Sequence, residues 1–174
     1  MRTRIVVNAS LLCVAVAVTA GISAPPPGRM KDVTGVRVVD YGIYEKRVIK
    51  TPEAPSTVAG EVKVVKKEGL VKQTDTIPLE VGQTFGLRYE IVAETKRKRL
   101  YPVTYHVIYP SEMTNPETGR SEKEWTFKTR SIGNSPRYTG FGFDNEWELL
   151  EGDWIFEISV GKHKVKQVFH LTKK

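Results

Sequence analysis

From Phe85 to Ile91 the chain alternates without a break. Phe85, Leu87, Tyr89 and Ile91 fall on one side, Gly86, Arg88 and Glu90 on the other. A helix would scatter those four apolar groups around its axis, whereas an extended strand lines them up on one face. The pattern returns in Val103, Tyr105, Val107 and Tyr109, in Trp125 and Phe127, in Trp154, Phe156, Ile158 and Val160, and in Val165, Phe169 and Leu171. Val62 and Val64 alternate with Glu61 and Lys63, and Val36, Val38, Tyr41 and Ile43 do so around a bulge near Val39-Asp40. Gly82, Pro110, Asn115-Pro116, Gly133-Asn134, Gly152 and Gly161 separate the runs as turn residues. No stretch of ten or more residues beyond Ala24 carries a helical stripe. Seven or eight short strands, each apolar on one face, pack best as two antiparallel sheets.

The last hairpin has a predicted register. Gly161-Lys162 suits a two-residue type II′ turn. Val160 then opposes His163, Ile158 opposes Val165 and Trp154 opposes Phe169 on the core face. Glu157 meets Lys166 and Asp153 meets His170 on the outer face. A slip of one residue would send Lys166 inward.

The amino-terminal segment limits the chemistry. Arg2 and Arg4 precede a 16-residue apolar run, Ile5 to Ala20, that ends among small residues. The run is shorter than the about 20 residues of a membrane-spanning helix, and Asn8 and Ser10 interrupt it. It reads as a cleaved secretory signal at residues 1–20, with an end as late as Ala24. The expected location is periplasmic or extracellular, with no transmembrane segment in the mature chain. Cys13 is the single cysteine and leaves with the signal, so disulfides, thiol nucleophiles and cysteine metal sites are excluded from the mature domain. Residues 21–32, with Pro25-Pro26-Pro27-Gly28, form a stiff linker. Residues 33–174 form one domain, in which Thr51 to Ser56 is a loose stretch between strands.

Charge argues against a dedicated nucleic-acid binder. The chain has 27 Lys and Arg against 20 Asp and Glu, and loss of Arg2 and Arg4 lowers the surplus from +7 to +5. The densest basic run, Lys96-Arg97-Lys98-Arg99, reads as a solvated loop that can face an anionic surface. His106, His163 and His170 are not at ligand spacing from one another, so neither a metal nor a cofactor is expected. Asp144, Glu146, Glu148, Glu151 and Asp153 are the nearest approach to a carboxylate pair. Alternation, however, turns Trp147 and Leu149 inward and Glu146 and Glu148 toward water. Gly140-Phe141-Gly142 lacks the third glycine of a phosphate loop, and no nucleophile elbow is present. Tyr138, Phe141 and Trp147 supply rings that would bind sugar if exposed, or seal the core together with Phe143 if not.

Several segments carry a family resemblance. They are Met113-Thr114-Asn115-Pro116-Glu117-Thr118-Gly119, Phe143 to Leu149, Gly152-Asp153-Trp154-Ile155-Phe156-Glu157-Ile158, Gln167 to Leu171, and Tyr41-Gly42-Ile43-Tyr44. In these the chain resembles the bacterial domain of unknown function 3859 family. The resemblance implies a β-sandwich and supplies neither an activity nor site residues.

Taken together, the expectation is an immunoglobulin-like antiparallel β-sandwich of seven or eight strands. Its expected role is a non-catalytic binding or accessory domain acting on a protein or cell-envelope component. A carbohydrate-binding module using Tyr138, Phe141 or Trp147 is one alternative. An electrostatic binder of anionic surfaces using Lys96, Arg97, Lys98 and Arg99 is the other.

Overall fold

A computed structural model describes residues 10–11, 24–50 and 64–173. The expectations at Val62, at Thr51 to Ser56 and for the rest of residues 1–20 lie outside them. The strands are β1 (Ser10–Leu11), β2 (Val33–Lys50), β3 (Val64–Gln73), β4 (Thr76–Pro78), β5 (Thr84–Ala93), β6 (Leu100–Thr114), β7 (Ser121–Ile132), β8 (Arg137–Gly142), β9 (Gly152–Val160) and β10 (His163–Thr172). One sheet has the order β1-β8-β5-β2-β3, the other β4-β10-β9-β6-β7.

Among the described residues nine strands run from Val33 onward, not seven or eight. One strand missing from the sequence reading is β4, whose three residues are too few to show a period. It pairs parallel to β10, with His170 opposite Thr76, so the sandwich is not wholly antiparallel. Pro110 is not a turn either. It lies inside β6 at an irregularity between Ile108 and Met113, where a residue without an N–H interrupts no pairing with β7.

Elsewhere the alternation holds. The β9–β10 register is as expected, from Val160 opposite His163 to Asp153 opposite His170. Gly161 has φ 59° while Lys162 stays outside the left-handed region, as a type II′ turn requires. Glu157 opposes Lys166 in register, but its carboxylate takes the diagonal Lys164 ammonium at 2.7 Å instead. The bulge near Val39-Asp40 is present as a register shift between Val38 and Asp40 in the β2–β5 pairing.

The core is aromatic. Phe85 lies 5.6 Å from Trp154, 5.8 Å from Phe156 and 5.2 Å from Phe169, ring centre to ring centre, all across the gap between sheets. Tyr41 meets Phe169 and Tyr109 meets Phe141. Thus β2 lies over β10, β5 over β9, and β8 over β6.

The outer face of the first sheet holds a second cluster. Pairing places Gly42, Gly86 and Gly140 in one row across β2, β5 and β8. A Cβ at Gly140 would overlap the Tyr138 hydroxyl and the Phe85 carbonyl oxygen, so the Tyr138 side chain occupies the space the missing side chains leave. The Tyr44 ring packs on it at 4.6 Å. Beside them the Arg88 guanidinium and the Tyr44 hydroxyl both donate to the buried Asp40 carboxylate. Burial alone would raise the Asp40 pKa, but these two donors outweigh it and hold the carboxyl below the usual range.

Candidate anion-binding cleft

The residues just before β2 are laid along the start of β6. Gly28 donates its N–H to the Leu100 carbonyl at 2.8 Å, and Leu100 donates back to Pro26 at 3.0 Å. Gly28 is required here, because any Cβ would overlap the ring of the buried Tyr101. A short 3-10 turn, Met30–Asp32, then leads into β2. Arg29 is thereby held beside the β5–β6 loop, 65 or more positions before Arg97 and Arg99 in the chain.

That loop is itself anchored. Asn134 sits in the left-handed region at φ 52°. Its side-chain amide donates to the carbonyls of Ala93 at 2.9 Å and Thr95 at 2.8 Å, and accepts from the Ala93 N–H at 2.9 Å. Gly133 donates to the Arg99 carbonyl at 3.0 Å. The β7–β8 turn thus fixes the ends of the loop that carries the basic run.

Linker and loop enclose a cleft of about 580 Å³, lined by Pro26, Pro27, Arg29, Asp32, Thr95, Arg97 and Arg99. Its walls carry three guanidinium groups against one carboxylate. Arg37, Arg88 and Arg120 pair with Glu90, Asp40 and Glu122. No ion pair engages Arg29, Arg97 or Arg99 among the described residues. Tyr101 lies against this corner with its hydroxyl buried and without a hydrogen-bond partner there. Its pKa is raised, first by burial and then by the charge of Asp32. Guanidinium forks bind phosphate, sulfate and carboxylate oxygens in pairs, so the corner suits an anionic ligand.

The structure separates the residues singled out in the sequence. Arg97 and Arg99 line the cleft, whereas Lys96 and Lys98 are exposed on the same loop and form none of its walls. Tyr138 and Phe141 are each 2% exposed. Tyr138 covers the glycine row, and Phe141 packs 4.9 Å from Trp154. Only Trp147 of the three proposed sugar-binding rings is partly open, and it rests on the core beside the fully buried Phe143. Arg29, Asp32, Thr95 and Asn134 were missed. Arg29 follows a proline run, and only the Asn134 turn motif was legible.

The acidic loop requires a correction. Glu148 does not face water; it is fully buried. Residues 146–148 form a 3-10 turn, to which strand alternation does not apply. One Glu148 carboxylate oxygen accepts the N–H groups of Asp144 at 2.5 Å and Asn145 at 3.0 Å. Burial pushes its pKa up to about 7 despite these donors. The histidines make surface or turn contacts: His106 with Glu124 and Glu157, His163 with the Val33 carbonyl, and His170 with Asp153. The described residues hold no group of three His, Cys, Asp or Glu placed to bind a metal ion. Among them, no helix is long and apolar enough to cross a membrane.

No curated protein matches the chain. Among solved structures, it is similar to an immunoglobulin-like protein from Pseudomonas aeruginosa, with 17% identity and a TM-score of 0.55 over 80% of this chain and 98% of that one. At that identity the likeness shows the fold: an all-β, immunoglobulin-like sandwich. The family model described as "Domain of unknown function (DUF3859)" matches residues 32–170, most of the length, and the chain therefore belongs to that family.

Proposed function

We propose that this domain is an exported, non-catalytic binding module that attaches to an anionic component of the cell envelope through the Arg29–Arg97–Arg99 cleft. Export rests on the charged start and apolar run of residues 1–20. The attachment rests on one observation: two segments far apart in sequence bring three arginines, unpaired among the described residues, to one concave corner. Lys96 and Lys98 extend the positive field outward and speed the encounter without forming the seat.

Vesicles test this reading. The full chain should sediment with vesicles of anionic phospholipid and not with zwitterionic ones. Binding should weaken steeply as salt rises from about 0.05 to 0.5 M. A chain carrying Arg29→Gln, Arg97→Gln and Arg99→Gln should bind at least tenfold less well at unchanged Tm. Equal binding to both vesicle types, or insensitivity to salt, would dispose of the cleft as the seat.

A further inference from the structure

The sheet edges are not equally protected. At one end of the second sheet, β7 carries exposed Lys123, Glu124, Lys128 and Arg130, charges that discourage another strand from pairing there. At the other end, β4 is only three residues long. β8 has neither safeguard. From Tyr138 to Gly142 it carries no charge, and all five residues are buried. An uncharged, buried strand at a sheet margin needs something beyond it.

In the full chain that place is taken by β1. Ser10 lies opposite Gly142 and Leu11 opposite Phe141, antiparallel to β8. In sheet order β1 stands beyond β8 as β7 stands beyond β6. The inner face of β7 is an aromatic shelf. Trp125 stacks on Phe127 at 5.4 Å and 9°, and Phe127 stacks on Tyr105 at 6.3 Å and 13°. Trp125 is 5% exposed, and its indole N–H has no partner among the described residues. This flank therefore combines unguarded backbone, apolar rings and an unused buried donor, which are the elements of recognition by strand addition.

We infer that the outer edge of β8 is a strand-acceptor site, occupied by Ser10–Leu11 in the full chain and by an extended apolar strand of a protein partner after residues 1–20 are removed. The second half rests on the export reading above; the first half does not. The occupant's character follows from the segment seated there, an extended stretch drawn from the apolar run Ile5 to Ala20. Backbone hydrogen bonds supply the affinity, and the β7 shelf selects apolar side chains.

Hydrogen exchange of the full chain tests the site without reference to vesicles or cleavage. Leu11→Pro removes a donor from β1 and should speed exchange of the β8 amides that face away from β5 by at least tenfold. Amides of β9 should be unchanged, which also verifies that the variant is folded. Adding a synthetic peptide of residues 5–16 to the Leu11→Pro chain should restore slow exchange in β8, and the same peptide bearing the proline should not. Equal β8 exchange in both chains would remove β1 from the edge, and failure of the peptide to restore protection would remove the acceptor site. If Leu11→Pro dimerised with β8 protected, the occupant would be a second copy and the partner strand would be overturned. Loss of vesicle binding with normal β8 exchange would sink only the cleft.

Discussion

At the scale of the single residue, Glu148 has the most measurable consequence. An ordinary glutamate titrates near 4.5, and this one is pushed to about 7 by burial. The folded state therefore holds its proton over a range where the unfolded chain has lost it. Its contribution to stability is complete below pH 4.5 and is lost as pH rises through about 7. The loss is on the order of 3 kcal/mol. Glu148→Gln retains an oxygen for the Asp144 and Asn145 amides and has no proton to lose. Urea unfolding between pH 5 and 8 should show falling stability for the wild type and a nearly flat profile for the variant. An identical slope in both would mean that Glu148 stays ionised in the fold. Burial of this side chain was not legible locally, because strand alternation was extended into a segment that turns.

At the scale of the element, alternation was a reliable guide in β5, β6, β9 and β10, but not in β3, whose residues Val65 to Gln73 carry no period of two. The inward residues of β5, Phe85, Leu87, Tyr89 and Ile91, are all at most 1% exposed. The β9–β10 register followed from Gly161 because a two-residue turn leaves no freedom in the pairing. The short β4 carries too few residues for a period. The glycine row was also hidden, since Gly42, Gly86 and Gly140 become neighbours only when β2, β5 and β8 pair. That row makes a specific demand. Gly140→Ala places a methyl group against the Tyr138 hydroxyl and the Phe85 carbonyl. It should cost about 1–3 kcal/mol in urea unfolding. Gly69→Ala, whose Cβ meets open space, should cost nothing measurable. Equal losses at the two positions would show that backbone freedom, not the Tyr138 contact, sets the cost.

At the scale of the whole molecule, the linker determines whether Arg29 reaches the basic loop. Gly28→Val should collide with the Tyr101 ring and lift residues 26–29 away from β6. Binding to anionic vesicles should then fall about as far as it does for Arg29→Gln, with β9 amide exchange unchanged. Wild-type binding in Gly28→Val would show that the linker does not place Arg29. The basic run was visible in the sequence as a loop facing water, and two of its four residues line the cleft. The third arginine was not, because proximity between residues 29 and 97 depends on Pro26 and Gly28 bonding to Leu100.

The order of apolar and polar side chains determined by itself that this chain forms strands, which face of β5, β6, β9 and β10 turns inward, and how its last hairpin is registered. Those properties are local: a period of two and a two-residue turn act over a few neighbouring positions. Tertiary structure alone decided that Arg29 joins Arg97 and Arg99, that Glu148 lies inside, that Tyr138 covers a row of glycines, and that Ser10–Leu11 borders β8 at the margin of the first sheet. Each of these depends on which distant segments meet, and the spacing within any one segment carries no record of that.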